Sequence, residues 1–183
     1  MLFRSLSAAT TKILSPTDTN FTSLGSYSIS DTAATVATNI SAGVITGASS
    51  VTASGATVDQ AVTLDGSAHA SLSYSLADSG NNYDALTVAQ AKAVYAASNT
   101  PNNYSVSDTA DAVYAAKDEA WLDSNGSGTV TASGATVSQA LAFSTDATVD
   151  YYSLAATGNN YEDRKSTRLN SSHSQQSRMP SSA

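Results

Sequence analysis

Hydrophobic residues alternate with small polar residues in six short stretches of the chain. The stretches open near Tyr27, Val51, Tyr74, Tyr104, Val130 and Tyr152, at fairly even intervals along the sequence. Alternation with a period of two is typical of a β-strand with one buried face. The pattern therefore predicts six strands of about four to six residues each.

A helical pattern follows several of these strands. The segment Thr-Val-x-Gln-Ala occurs three times, beginning at Thr57, Thr87 and Thr136. A threonine N-cap with a glutamine three residues later has the spacing of a capping box, in which each side chain bonds the other residue's backbone N–H. Apolar residues then recur at i, i+3 and i+4, as in Val58, Ala61 and Val62. We predict a short helix after each of the three threonines.

Two Ser-Asp-Thr-Ala segments predict further helix starts. Asp31 and Asp108 suit the N-cap position, because a carboxylate accepts hydrogen bonds from free backbone N–H groups and is attracted to the positive end of the helix dipole. The segment 109–123, TADAVYAAKDEAWLD, predicts the longest helix of the chain. Its apolar face is expected to carry Val113, Ala116 and Ala120.

Three segments recur in the same order and at nearly one offset. YSISDTA from Tyr27 returns from Tyr104 as YSVSDTA, and VTASGATV-x-QA from Val51 returns from Val130. YSLA-x-x-GNNY from Tyr74 returns from Tyr152. The repeats predict four parts: an irregular N-terminal segment (1–24), repeat copy one (25–101), a truncated repeat copy two (102–162) and a tail (163–183).

The repeat pattern also predicts the fold class. A single strand with its short helix cannot bury its own apolar face, whereas stacked units bury each other's faces. Strands that alternate with helices favour parallel pairing with right-handed crossovers. We predict an α/β solenoid of short parallel strands and short Ala-rich helices. The abundance of Ser, Thr and Val makes an all-β solenoid or sandwich the alternative.

The tail resembles the conceptual translation of a sequencing adapter. DRKSTRLNSSH (163–173) is similar to one end of the adapter, and SRMPSSA (177–183) is similar to the other. Repeat copy two follows copy one as far as Tyr161 and Glu162 and departs where this resemblance begins. We therefore predict a non-native, disordered tail on a fragment assembled from environmental reads. A basic arm that binds nucleic acid is the alternative explanation.

Charge and composition narrow the range of partners. The net charge is −7, and residues 1–162 carry 4 basic and 14 acidic residues, which gives −10. Nucleic acids and anionic lipids bind clustered Lys and Arg, so neither is expected. The chain has no cysteine and no run of the ~18 to 20 apolar residues that a membrane-spanning helix requires. The expected partners are neighbouring repeats of the same chain, with surface glycans or other cells as candidates.

The repeated segments support a comparison with a known class of proteins. YSISDTA, YSVSDTA, VTASGATV-x-QA and LTVAQAKAVYAASN are similar to the tandem repeats of very large bacterial surface or secreted proteins. The resemblance covers residues 26–162. It implies an extracellular or cell-surface protein with a structural, adhesin-like role and no catalytic residues. A carbohydrate-binding module is the alternative function, and part of a polysaccharide-active enzyme is a more distant one.

Several aspartates are candidate oxygen ligands for calcium. They are Asp31, Asp59, Asp65, Asp78, Asp108 and Asp111. The chain has no EF-hand loop and no Gly-Gly-x-Gly-x-Asp nonapeptide, and Ser138 replaces Asp59 in the second copy. Helix capping and turn formation explain these residues better. The sequence therefore predicts no metal site and no cofactor, with calcium between the repeat units as the alternative.

The remaining candidate sites also have structural explanations. The GNNY segments at 80–83 and 158–161 predict turns with asparagine at positive φ, or a glycan-binding surface. His69 lies between alanines, and among so many serines a Ser-His-Asp triad would be a coincidence. Asp118, Glu119 and Asp123 have helical spacing and predict a solvated face rather than the carboxylate pair of a glycosidase. We expect a protein that is not an enzyme.

Overall fold

The computed structural model describes residues 5–6, 27–40, 45, 47–126 and 128–158. The rest of the predicted N-terminal segment and the whole of the tail 163–183 lie outside the described residues. The described residues include most of both predicted repeat copies, and the fold below refers to them.

Parallel strands form two small sheets in this part of the chain. The strands are β1 (Ser5–Leu6), β2 (Ser28–Thr32), β3 (Ser50–Ala56), β4 (Leu72–Leu76), β5 (Val106–Thr109), β6 (Val130–Ala135) and β7 (Tyr151–Leu154). β1 to β4 pair in chain order in one sheet, and β5 to β7 pair in chain order in the other. Because β1 has only two residues, each sheet has three full strands. The six strands predicted from the alternating pattern are confirmed.

Short helices connect the strands. The described helices are α1 (Ala33–Thr38), α2 (Val58–Asp65), α3 (Val88–Ala96), α4 (Ala110–Ala116), α5 (Ala120–Asp123) and α6 (Val137–Phe143). Parallel neighbours require a crossover connection, which these helices help to supply. The predicted class, α/β with parallel strands and short helices, is confirmed. The all-β alternative is wrong, because the capping signals specify helices despite the abundance of Ser, Thr and Val.

All three predicted capping boxes are confirmed. In α2, α3 and α6 the threonine Oγ1 accepts the N–H of the glutamine three residues later, at 3.2 to 3.3 Å. The glutamine Oε1 accepts the threonine N–H in return, at 2.9 to 3.0 Å. These bonds satisfy backbone groups that have no partner within the helix. The helix starts are therefore decided by residues close together in sequence.

The predicted N-caps Asp31 and Asp108 are wrong by one residue. Thr32 and Thr109 are the caps of α1 and α4, and their side chains accept backbone N–H groups from the first turn at 3.3 Å. Each aspartate instead accepts the N–H of the threonine that follows it, at 2.7 Å. The strand continues through the threonine, so the aspartate is still in the sheet when the helix begins.

The predicted long helix over 109–123 is wrong because the chain breaks into α4 and α5. Glu119 is extended, with φ −85° and ψ 126°, and α3 is the longest described helix at nine residues. Ala120 is exposed, whereas Trp121 and Leu122 are buried. Positions 113 and 122 lie on opposite sides of a straight helix. The break lets both Val113 and Leu122 reach the core.

The core is thin and rich in small side chains. Alanine is the most frequent buried residue in the described part of the chain. The largest side chains in it are aromatic, and Tyr74 and Tyr104 have polar hydroxyls that need partners when buried. The Tyr74 hydroxyl donates to the Ala93 carbonyl oxygen at 2.7 Å, and the Tyr104 hydroxyl donates to that of Trp121. Tyr74 therefore links β4 to α3, and Tyr104 links the segment before β5 to α5.

Residues 83–86 lie beside β5 and make the connection between the two repeat copies. Leu86 and Val106 form a parallel bridge outside the named strands. The N–H of Leu86 donates to the Ser105 carbonyl at 2.9 Å, and the N–H of Ser105 donates to the Tyr83 carbonyl at 2.7 Å. The copies are thus joined by parallel backbone pairing.

Candidate functional site

The most regular polar feature of the surface is a bond between neighbouring helices. The Gln90 side chain in α3 donates from Nε2 to Asp59 Oδ1 in α2 at 3.0 Å. Gln139 in α6 makes the same bond to Asp111 in α4, at 2.7 Å. In both pairs the aspartate is the second residue of its helix and the glutamine is the third residue of its own. We name these two contacts the Gln–Asp pairs.

A second set of bonds joins side chains to the backbone of the preceding strand or helix. Asn99 accepts the Leu76 N–H at 2.6 Å and donates to the Leu76 carbonyl at 3.0 Å. Asp108 accepts the Val88 N–H through Oδ2 at 2.9 Å. Asp150 likewise accepts the N–H of Val130, which is 20 residues earlier, at 2.8 Å. These side chains connect parts of the fold that lie 20 to 23 residues apart in the sequence.

The candidate calcium ligands are dispersed among such contacts. Asp59 and Asp111 belong to the Gln–Asp pairs, and Asp108 bonds the backbone at two positions. Asp65 lies 3.9 Å from the Lys92 ammonium, and Asp78 is exposed in the turn after β4. Among the described residues, no group of three or more Asp, Glu or His side chains is arranged to hold a metal ion.

The first GNNY segment has a structural role that its sequence did not reveal. Asn81 accepts the Val58 N–H at 3.1 Å and donates to the Ala56 carbonyl at 3.1 Å, so its amide supports the start of α2. Gly80, not asparagine, has the positive φ, at 87°. The prediction of asparagine at positive φ is therefore wrong for the described residues. Tyr83 is half-buried against the core.

His69 is held by backbone groups on both ring nitrogens. Nδ1 accepts the Ser71 N–H at 3.3 Å, so Nε2 carries the proton and donates to the Ala48 carbonyl at 3.0 Å. The histidine lines a cavity of about 610 Å³ together with Ile40 and several alanines and serines, such as Ala48 and Ser67. This arrangement fixes the loop before β4, and among the described residues neither ring nitrogen bonds a serine hydroxyl.

The acidic residues of the broken helix separate into two places. Asp118 and Asp123 line a polar cavity of about 510 Å³ with Asp146, and Thr148 donates a hydrogen bond to Asp123. Glu119 lines a different groove, between α3 and α4. The Lys117 ammonium donates to both oxygens of Asp118 at 2.7 Å, and this hydrogen bond raises the pKa of Lys117. No pattern in the sequence indicated that Asp146 would lie beside Asp118 and Asp123.

An exposed apolar face on α6 and β7 was also missed. Large apolar side chains are exposed there at Val137, Leu141, Tyr151, Tyr152 and Leu154. The Tyr152 ring contacts the core, with its centroid 5.9 Å from that of Phe143. The repeat alignment does not predict this exposure, because the equivalent residues of copy one, such as Tyr74 and Leu76, are buried.

Comparison with known proteins identified no protein similar to this chain. No family model matches the chain, and neither the curated proteins nor the solved structures contain a significant match. None of the helices described here has the length and apolar character needed to cross a membrane.

Proposed function

We propose that residues 25–162 are units of a tandem-repeat protein with a structural, adhesive role outside the cell or at the bacterial cell surface. In this proposal the strands and helices are successive coils of one α/β solenoid. The Gln–Asp pairs carry the proposal: in each repeat copy the third residue of one helix bonds the second residue of another helix, 31 or 28 residues earlier in the chain. In both pairs the glutamine belongs to a recurring Thr-Val-x-Gln-Ala segment, so this segment supplies a bond to a second helix as well as its own cap.

The proposed mechanism is mechanical and multivalent. Each stacked unit buries its apolar faces against its nearest neighbours. Further units can therefore lengthen the protein without any change in the structure of a single unit. Many weak contacts along one rod give strong attachment when they engage together. Exposed rings on the outer side of the helices, such as Tyr95 and Tyr114, are suitable contact groups because an aromatic ring offers apolar area and a polar end.

Bead attachment tests this function. Beads coated with the full chain at several densities are presented to bacterial cells and to epithelial cells under flow. We expect attachment to rise more steeply than in proportion to density, as multivalent binding requires. The variant Tyr95→Ser should attach less while its melting temperature changes by less than about 2 °C, because the Tyr95 side chain is exposed. Attachment equal to that of beads coated with an inert protein at every density would refute the adhesive role.

Glycan binding is the second candidate. The observation that favours it is the exposure of several tyrosine rings, among them those of Tyr95, Tyr114 and Tyr151. The GNNY turn is a weaker candidate, since Asn81 is fully engaged with the backbone. A glycan array probed with the full chain and with Tyr83→Ala, Tyr95→Ser and Tyr151→Ser distinguishes the two surfaces. Signal that is lost only with Tyr83→Ala would assign binding to the turn.

A further inference from the structure

The exposed face on α6 and β7 has a close counterpart in sequence within copy one. When the two VTASGATV-x-QA segments are aligned, Val137 and Leu141 in α6 correspond to Val58 and Val62 in α2. When the two YSLA-x-x-GNNY segments are aligned, Tyr152 and Leu154 in β7 correspond to Tyr74 and Leu76 in β4. We name the four residues 137, 141, 152 and 154 the terminal face.

The two faces differ sharply in burial. Tyr74 and Leu76 are 5% and 3% exposed, whereas Tyr152 and Leu154 are 40% and 42% exposed. Val58 is 9% exposed, whereas Val137 is 52% exposed. The residue types and the local structure are alike in the two copies. The difference in exposed fraction therefore depends on which residues cover each face.

In copy one the cover is α3 together with the two residues Ser98 and Asn99. α3 packs along α2, with Ala91 and Val94 of α3 fully buried. The Tyr74 hydroxyl donates to the backbone of α3, the Ser98 N–H donates to the Tyr74 carbonyl, and Asn99 bonds both backbone groups of Leu76. The cover therefore recognises the face through small apolar side chains, one tyrosine hydroxyl and one asparagine amide.

We propose that the terminal face is a docking site for a further coil of the α3 type. Such a coil has a capped Thr-Val-x-Gln-Ala helix with a small-residue face, followed by Ser-Asn, as in residues 87–99. The Tyr152 hydroxyl, which bonds no described residue, takes the role of the Tyr74 hydroxyl. Leu154 takes the role of Leu76 opposite the asparagine. The inference deepens the proposed function, because it rests on the stacking of repeat units.

One contact is expected to be weaker than in copy one. The residue equivalent to Asp59 is Ser138, so a docked glutamine would donate to a hydroxyl instead of a carboxylate. Hydrogen bonds to charged groups are stronger than hydrogen bonds between neutral groups. Docking should therefore depend chiefly on the apolar side chains of the terminal face, and Leu141 is the most exposed of them at 70%.

A grafted chain tests the docking directly. Residues 162–183 are replaced by a copy of residues 84–100, so that the graft follows Tyr161 as Asp84 follows Tyr83. We expect the melting temperature to rise by about 5 °C or more, because four large apolar side chains become buried. Amide exchange at residues 151–155 should slow about tenfold or more, because the strand is no longer at an open edge.

Two controls separate docking from a nonspecific effect of the added residues. In the first control, the grafted copies of Ala91 and Val94 are replaced by aspartate, while α3 itself is unchanged. This graft should lose both gains, since the buried surface of the added helix becomes charged. Leu141→Asp should shift the melting temperature of the parent chain by less than about 2 °C, because Leu141 is exposed, yet it should abolish the gain of the graft. Gains that persist in both controls, or no gain in the original graft, would overturn the inference.

A measurement on the unaltered chain covers the case in which the graft does not fold. A synthetic peptide with the sequence of residues 81–100 is added to the full chain, and amide exchange at residues 151–155 is followed. Slower exchange in the parent but not in Leu141→Asp supports docking; unchanged exchange in both at millimolar peptide contradicts it. These readouts need no cell or glycan, so their outcome is independent of the adhesive role.

Discussion

At the level of single residues, Gly55 and Gly134 occupy the same position in two strands and interrupt both in the same way. Their φ angles are 71° and 75°, a region that favours glycine. The pairing register shifts between Ala53 and Ala56 in β3, and between Ala132 and Ala135 in β6. This bulge ends the regular pairing just before the threonine N-cap. The glycine thus converts a strand into a helix start.

Alanine substitutions should separate two kinds of glycine. Gly55→Ala is expected to cost about 1 to 2 kcal/mol, because a Cβ there meets nothing within 4 Å and only the positive φ is unfavourable. Gly128→Ala is expected to cost about 3 kcal/mol or more, because its Cβ would overlap the Tyr104 carbonyl oxygen. Urea denaturation of both variants measures the difference. Equal losses would show that the backbone near Gly128 adapts freely.

The buried phenols predict a loss of stability at high pH. Burial raises the pKa of Tyr104 to about 12 and also raises that of Tyr74, where the charge of Asp65 adds to the effect. The unfolded chain releases these protons near the ordinary tyrosine pKa of 10.0, so it binds fewer protons than the folded chain above that pH. The stabilisation is complete below about pH 10 and is lost as the pH rises through about 12.

Urea denaturation midpoints at about pH 8, 10 and 11 check this dependence. We expect the midpoint to fall over the upper part of the range, and to fall less steeply in Tyr104→Phe, which has no phenol to ionise. That variant also loses the bond to the Trp121 carbonyl, so its midpoint at pH 8 provides the baseline. A midpoint that stays constant up to pH 11 in the parent chain would contradict the assigned burial.

At the level of elements, the helices are short and take much of their stability from caps and neighbours. None of them exceeds nine residues in the described part of the chain, which is below the length at which an isolated helix is stable in water. The capping box supplies local bonds, and the Gln–Asp pairs add a bond across to the next helix. One glutamine therefore serves both its own helix and the adjacent one.

A double-mutant cycle should measure the second of these roles. For Asp59→Ala and Gln90→Ala we expect a coupling of about 0.5 to 1 kcal/mol, the usual size for an exposed hydrogen bond to a carboxylate. The matched control combines Asp59→Ala with Gln139→Ala, which loses an equivalent capping box but no shared bond. Its coupling should be close to zero. Equal coupling in the two cycles would mean that the Asp59–Gln90 bond contributes nothing.

At the level of the whole molecule, the charge is unbalanced. The chain has a net charge of −7, and only two ion pairs, Lys92 with Asp65 and Lys117 with Asp118, occur among the described residues. Both are at the surface, where ion pairs contribute little. Since acidic residues outnumber basic ones by 15 to 8, we expect repulsion between carboxylates to outweigh attraction at low salt.

Added salt is thus expected to stabilise the protein. Raising NaCl from about 10 mM to about 200 mM shortens the Debye length from about 30 Å to below about 8 Å and screens the repulsion. We expect the melting temperature to rise by about 2 to 4 °C. Calorimetry in NaCl and in choline chloride at equal ionic strength distinguishes screening from a specific effect of sodium. A fall in melting temperature would show that attractive pairs dominate.

The amino-acid sequence by itself determined the elements whose signals are local. Six strands and three capping boxes follow from residues that lie close together along the chain, such as Thr87 and Gln90. Parallel pairing and the α/β class follow from the alternation of these elements. The recurrence of three segments at nearly one offset also identified the repeat and the residues that the two copies share.

Only the tertiary structure decided how those residues are used. The partners in the Gln–Asp pairs lie 31 and 28 residues apart, and Asp108 reaches Val88 across 20 residues. The break before Ala120 arises because Leu122 must face the same core as Val113, and burial of both outweighs helical continuity. Such contacts join residues that are far apart in the sequence. They form only when the strands and helices pack together, and no local pattern encodes them.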